Sequence, residues 1–394
     1  MRVGLIVRGG VEAGSEDRNN APIFVHLIRR VAASADLRVF SLHGESRATL
    51  ASLYRSDAAT YRFAGADVVP LGTARTPKLR LLTDALRVAA AIHATGRRSG
   101  RPDLLHGIGL SPGIVATSVG RLLGIPSIVS LIGGELTSLP AIDYGELRTV
   151  KGRMITRALL RQAGTITVAS EFMRKRVEAH GARARVLPFG IDVRPFFGPV
   201  ARPEGPPFRL LHVGTLCALK DQVTLIRAVR RVADRGLDVA LDIVGYDDWA
   251  GRVQRESAEL GLNARVTFHG WTAQDQIAAL ARRAHAFVMT SLDDAAPAAV
   301  IEAAAAGLPI VGTDVGFIAD WAPAMAAATP IGDADALADA LCRLLASREE
   351  RERMASQAQD WVRARASVEA NDAFVRLYEE VLAGRGRPPP SARR

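Results

Sequence analysis

Along the chain, short apolar runs rich in β-branched residues alternate with amphipathic stretches of helical spacing. A strand buried on both faces reads as a continuous apolar run, so this alternation predicts parallel sheets covered by helices. In the first half, strands are predicted at Val3 to Val7, Leu37 to Leu42, Leu104 to His106, Ser127 to Leu131, Thr165 to Ala169 and Val186 to Pro188. Helical spacing runs over Pro22 to Ala33, Thr83 to Ala94 and Glu171 to His180. Gly190 to Pro207 holds five prolines and three glycines, which suit no element interior. The alternation then restarts with strands at Arg209 to Val213, Val239 to Val244, Val266 to His269, Ala286 to Met289 and Pro309 to Thr313. Helices are predicted at Gln222 to Asp234, Arg252 to Leu260, Ala273 to Arg283, Pro297 to Ala306 and from Asp335 onward.

The expected fold class is α/β: two Rossmann-like doubly wound domains, residues 1–192 and 208–365, joined by a linker at 193–207 and facing a central cleft. A C-terminal helix at 366–385 is expected to pack back towards the first domain, ahead of a disordered tail at 386–394. Ligands of doubly wound sheets bind beyond the carboxyl ends of the strands. The chemistry is therefore sought in the strand-to-helix loops.

Composition narrows the function. A length of 394 residues exceeds what one core usually supports, and 48% apolar residues exclude wholesale disorder. No apolar run reaches the roughly 18–20 residues of a membrane span, because Arg121 or Glu302 interrupts the best candidates. Met1 to Arg8 reads as a strand rather than a signal peptide, and Cys217 and Cys342 make neither a disulfide framework nor a zinc cluster. A soluble, cytoplasmic protein is expected. The net charge of +10 comes from arginine, lysine appearing only at Lys78, Lys151, Lys175 and Lys220. The arginines lack the aromatic interleaving that stacks bases, so nucleic acid is not an expected partner. Two readings stay open: solvated charge from biased arginine usage, and a weak peripheral contact with an acidic membrane surface, helped by Arg385, Arg387, Arg393 and Arg394.

The most informative stretch is Ser291 to Gly316. A strand delivers the chain to Asp293 and Asp294; Pro297 fits a first helical position, Gly307 the residue past the helix end, and Pro309 the stop. Asp294 then precedes a helix start and Glu302 lies inside that helix, seven residues intervening. Two carboxylates so placed can accept from vicinal hydroxyls, and the free N–H groups between them favour a phosphate. The plainer readings are a helix-capping aspartate and an exposed glutamate.

This carboxylate-x7-Glu pattern, with its Ala-rich helix and Gly-x-Pro, resembles the E-x7-E motif of retaining, nucleotide-sugar-dependent GT-B glycosyltransferases (family 4-like, group 1). The resemblance implies that Asp294 contacts hydroxyls of the transferred sugar and that Glu302 holds the donor ribose. It also implies donor contacts at Ala295, Ala296, Pro297 and Val300; Pro297 has no N–H, which shifts phosphate contact to Ala295 and Ala296. His212-Val-Gly-Thr-Leu-Cys-Ala-Leu-Lys resembles the family's V-G-R-L-x3-K segment, putting Gly214 and Lys220 at the donor pyrophosphate, with Thr215 replacing the arginine. Gly245 joins the donor set, and Val266 to Trp271 is similar to the strand whose end flanks the nucleobase, with Trp271 there and His269 expected to be packed.

In the first half, Arg8-Gly-Gly is similar to the family's glycine loop, implicating Gly9 and Gly10 at the transferred sugar and phosphates. Ile132 stands where many members carry histidine, so the acceptor side falls to Gly133, Gly134 and Glu135, with His106 as a further candidate whose plainer reading is a packed histidine. Thr165 to Ser170 and Val186 to Asp192 are similar to segments that mainly build architecture, Ser170 as a helix cap and Gly190 to Asp192 as the interdomain crossing.

Together these imply a retaining glycosyltransferase with Lys220, Asp294 and Gly10 as its catalytic set. It would need no metal or other cofactor, its partners being a nucleotide diphosphate-sugar and a hydroxyl acceptor. UDP, GDP and ADP all remain open as the nucleotide. A sugar-nucleotide epimerase of similar fold and a catalytically silent nucleotide-sugar-binding protein are the alternatives, the latter prompted by Thr215, Ile132 and Asp294.

Overall fold

The computed structural model describes residues 1–9, 24–42, 60–71, 79–199, 202–203 and 205–384. Gly10, the start of the helix expected at Pro22, and the 386–394 tail with its arginines lie outside the described residues.

The first domain is a sheet of eight strands: β1 (Arg2–Val7), β2 (Asp36–Ser41), β3 (Tyr61–Phe63), β4 (Ala66–Pro70), β5 (Leu104–Ile108), β6 (Ser127–Leu131), β7 (Thr165–Val168) and β8 (Arg185–Val186). Their spatial order is β3-β4-β2-β1-β5-β6-β7-β8, with every pair parallel except the β3–β4 hairpin. The order turns about β1, where doubly wound sheets open a crevice beyond their strand ends. Helices α1 (Val25–Ser34), α2 (Arg80–Ser99), α3 (Leu110–Leu123), α4 (Val150–Gln162) and α5 (Glu171–Ala179) belong to this domain. Val88 and Ile92 of α2 and Val115 and Val119 of α3 pack with Ile6, Phe40 and Leu105 against one face. Leu27 and Ile28 of α1 cover the other.

The second domain is a parallel sheet of β9 (Phe208–Val213), β10 (Val239–Val244), β11 (Val266–Gly270), β12 (Ala286–Met289), β13 (Ile310–Thr313) and β14 (Ala326–Thr329), in the order β11-β10-β9-β12-β13-β14. Its helices are α6 (Gln222–Asp234), α7 (Arg252–Glu259), α8 (Gln274–Arg283), α9 (Ala298–Ala305), α10 (Gly316–Trp321), α11 (Ala334–Ala346) and α12 (Arg348–Arg365). The sheet is a sandwich filling: α6 and α11 bury Leu225, Ile226, Leu337 and Leu341 on one face, and α9 and α12 bury Val300, Ile301, Ala358 and Val362 on the other.

The chain crosses between domains twice. The expected linker is anchored at its start, since Val193 and Phe196 are buried in the second domain's core. After α12 the chain returns through Val368–Asn371 to α13 (Asp372–Ala383), whose Phe374, Leu377 and Tyr378 are buried with Val3, Leu5 and Leu27 of the first domain. The two crossings touch. Asn371 accepts from Gly190 N–H and donates to its carbonyl, both at 3.0 Å, and a β-carbon on Gly190 would meet the Ser367 carbonyl at 2.1 Å.

Several elements depart from the sequence expectation. The β3–β4 hairpin, α3, α4, α10 and β14 were not predicted. The helical region from Asp335 is broken at Ser347, whose hydroxyl caps α12 by accepting from Glu350 N–H at 3.2 Å. Pro297 sits at the cap position of α9 with ψ of 120°, one residue outside the helix rather than at its first position.

Candidate active site in the interdomain cleft

Strands β9 and β12 are neighbours, so the loops leaving them run side by side. The β9 loop turns through Gly214 and Thr215 to Lys220, just before α6; the β12 loop carries Thr290 to Asp294 towards α9. Thr290 Oγ1 donates to the Lys220 carbonyl at 2.9 Å, tying one loop to the other. Within that frame the Lys220 ammonium pairs with the Asp294 carboxylate, both side chains only partly exposed. One of the three ammonium protons is thereby committed. The loop is held from below by His212 and Gln222, a pair that no local spacing marks. His212 is buried, its Nδ1 donates to the Val288 carbonyl at 2.9 Å, and its Nε2 accepts from Gln222 at 3.2 Å. Burial pushes the imidazole down to about 4, so it stays neutral and the Gln222 amide is free to grip the Thr215 carbonyl at 2.9 Å.

Gly245, at the end of β10, has φ of 149°, and a β-carbon there would fall 2.0 Å from the Gly214 carbonyl. Only glycine lets these two loops meet. Glu302 lies on α9 with Gln274 Nε2 donating to it at 3.3 Å; burial, only partly offset by that bond, pushes its carboxyl up to about 7. The same amide reaches the Asp192 carbonyl at the crossing, 3.4 Å away. Trp271 follows β11 and is 46% exposed. His269, expected to be packed, instead sits at the surface and pairs with Asp242 at 2.7 Å.

By local pattern Asp293 is only half of an acidic pair. It is 4% exposed and bridges the domains: Thr137 Oγ1 donates to it at 2.6 Å and Arg176 Nη1 at 2.7 Å. Ser170 Oγ, beyond capping α5 through Met173 N–H, donates to the Ala295 carbonyl at 2.6 Å. A β-carbon on Gly133 would lie 3.3 Å from that of Ala295. The β6 loop and the β12 loop therefore face each other at contact distance across the cleft.

On the first-domain side, Gly9 leaves β1 with φ of 84°, and Gly133 and Gly134 leave β6 with φ of 131° and 77°. Glu135 closes that turn on itself, accepting from the N–H groups of Ile132 at 3.0 Å and Gly133 at 2.7 Å, and burial raises its carboxyl to about 7. A cavity of about 420 Å³ opens here, lined by Arg8, Leu110, Gly133, Gly134, Glu135 and Tyr144.

Two expected site residues are corrected. His106 is fully buried, Nδ1 on the Tyr378 hydroxyl at 2.8 Å and Nε2 on Ser130 Oγ at 2.7 Å, and burial holds its ring down to about 3. It ties α13 to the sheet and offers no atom to an acceptor. Val300 is likewise wholly inside the second core, where its side chain can touch no donor. Ala295 and Ala296 do border the cleft, but the Ala295 carbonyl is already committed to Ser170. Among the described residues no group of His, Cys, Asp and Glu could hold a metal ion, and no helix is long and apolar enough to cross a membrane.

Two facing doubly wound domains with donors and acceptors gathered at their strand ends define a class that comparison with known proteins names. Residues 196–361 match the model for glycosyl transferases group 1, and residues 21–190 match that for a glycosyl transferase 4-like domain. The chain belongs to the group 1 glycosyltransferase family. The D-inositol 3-phosphate glycosyltransferase of Arthrobacter sp. (strain FB24) is 28% identical over 239 residues, 55% of this chain and 55% of that protein. The GDP-mannose-dependent alpha-(1-6)-phosphatidylinositol monomannoside mannosyltransferase of Mycobacterium tuberculosis is 28% identical over 53% of this chain and 61% of its own length. The matched stretches thus span little more than half of these curated relatives. Among solved structures, sucrose-phosphate synthase from Thermosynechococcus elongatus superposes with a TM-score of 0.78 at 20% identity, covering 97% of this chain and 99% of that one. Anabaena HepE in complex with UDP gives 0.71 at 18% identity, covering 96% and 100%. These likenesses establish the GT-B fold.

Proposed function

We propose that the protein transfers a sugar from a nucleotide diphosphate donor to a hydroxyl acceptor with retention of anomeric configuration. The observation that carries this reading is the meeting of Lys220 and Asp294, from two adjacent strand ends, opposite the Gly133–Gly134 turn of the other domain. The diphosphate would take the ammonium protons that Asp294 leaves free, and its negative charge, growing as the anomeric bond breaks, is stabilised by Lys220 and the free amides at the start of α9. Asp294, kept beside that ammonium, accepts hydroxyls of the sugar, and Glu302 accepts the ribose hydroxyls. The acceptor enters from the 420 Å³ cavity. Its oxygen bonds to the anomeric carbon on the face the diphosphate leaves, and its proton passes to a departing phosphate oxygen. The interdomain contacts at Asp293 and Ala295 keep water from that face.

A thermal-shift panel of UDP, GDP, ADP and their sugar conjugates tests the reading, because a ligand that binds only the native state raises Tm. One nucleotide series should raise Tm, and Glu302→Ala should abolish that rise. If no member of the panel shifts the wild type, the assignment fails.

A further inference from the structure

The outer surface of α2, α3 and α4 gathers cations without carboxylate partners and exposed apolar side chains in one layer. These helices form one layer: α2 and α3 share a face of the first sheet, and a β-carbon on Gly113 of α3 would lie 3.5 Å from Leu159 of α4. Across them the single acidic residue is Asp84, which is fully buried and paired with Arg8 at 2.7 Å. Their exposed cations are Arg97, Arg121, Lys151, Arg153, Arg157 and Arg161, and none of these pairs with a described carboxylate. Elsewhere several helical arginines are matched within a turn, as Arg174 is by Glu171 and Glu178, Arg230 by Asp234, and Arg353 by Glu350, while exposed Arg255, Arg283, Arg343 and Arg376 pair with no described carboxylate but lie on helices that also carry acidic side chains.

The same layer carries Leu82, Leu86, Leu122, Val150 and Met154, each between 49% and 72% exposed. On α4 the spacing is i, i+4, i+7 and i+11 for Val150, Met154, Arg157 and Arg161, which puts two apolar and two cationic side chains on one stripe. Lone exposed apolar residues need no explanation, but a layer of them set among unmatched cations does. We infer that this face docks on an anionic lipid bilayer surface, the apolar side chains entering the headgroup boundary and the cations drawing in acidic headgroups. Lipid fits both features together; a polyanion would satisfy the cations and leave Met154 and Leu122 in water. The cavity of the cleft opens at the same end, since Leu110 of the first turn of α3 and Arg148, two residues before α4, both line it. Docking would therefore present that cavity towards the bilayer.

Cosedimentation of the full chain with vesicles tests this, comparing phosphatidylcholine alone with phosphatidylcholine containing phosphatidylglycerol. Binding is expected only to the second, weakening as salt rises. Each cation near such a surface multiplies partitioning by about fivefold, so the triple variant Arg153→Glu, Arg157→Glu, Arg161→Glu should lose roughly 100-fold or more. Val150→Ser with Met154→Ser should weaken binding several-fold and leave the salt dependence unchanged. All these side chains are exposed, so melting curves of the variants should match the wild type, and any rise in Tm with nucleotide should persist in them. The inference falls if wild type ignores the acidic vesicles, if the triple variant binds them equally, or if double-stranded DNA captures the chain where vesicles do not.

Discussion

At the residue scale, the cleft places charge where burial makes it expensive. Glu302 illustrates the cost. Its carboxyl is raised from 4.5 to about 7, so the folded protein holds that proton where the unfolded chain has released it. Its contribution to stability is therefore full below about pH 4.5 and is lost as pH climbs through about 7. Glu302→Gln should remove that share of the decline, making the ligand-free variant melt higher than wild type above neutrality and alike in acid. Affinity for the nucleotide should move the opposite way, strengthening as pH rises through about 7, because ribose hydroxyls donate to the ionised form. Calorimetry that finds one affinity across that range would contradict the ribose role. Lys220→Ala should lower turnover by roughly 100-fold or more with the fold intact, the usual cost of losing one preorganised stabiliser of developing charge; near-normal transfer would remove Lys220 from the mechanism. Asp294, Glu302 and Lys220 were legible in the sequence because a carboxylate-x7-Glu spacing and a lone lysine in an arginine-rich chain are local patterns. His212 and Gln222 were not. Their pairing depends on β9 lying beside β12, and no local spacing announces it.

Elements tell the same story in their own terms. Predicted and observed limits coincide for β6, β10, β12 and α6, where short, mainly apolar runs or an Asp221 cap mark the ends. The missed α3, Leu-Ser-Pro-Gly-Ile-Val-Ala-Thr-Ser-Val-Gly-Arg-Leu-Leu, is apolar nearly all round and carries two glycines, so it lacks an amphipathic signal. Those glycines are there for packing: a β-carbon at Gly113 would meet Val129 at 2.6 Å, and one at Gly120 the Ile125 carbonyl at 2.6 Å. Asp293 was undervalued because its partners lie 156 and 117 residues away, in the other domain. Removing it would leave Arg176 uncompensated and Thr137 idle. Asp293→Ala should cost about 2 kcal/mol or more in denaturant unfolding, and Asp293→Asn less, since the amide oxygen still accepts from Thr137. Equal losses for the two variants would show that charge plays no part in the bridge.

For the whole molecule, the chain's return through α13 decides where its last helix counts. Phe374 is fully buried in the first domain's core and stacks on Phe189 at 5.2 Å, while Tyr378 reaches His106. Phe374→Ala should therefore destabilise the first domain by about 3–5 kcal/mol, read by chemical denaturation, and leave nucleotide affinity at the second domain close to wild type. A large fall in affinity would mean that the two halves are more tightly coupled than their separate cores suggest.

The paired crossings also fix how the halves can move. A single tether would let one lobe swivel freely about the other. Here two strands of backbone, clasped by Asn371 on Gly190, lie so close that no side chain fits between them. Such a double pin allows opening about one axis and resists twisting about the others. A hinge so restricted would bring Asp293 back to the same arginine and the same threonine at every closure.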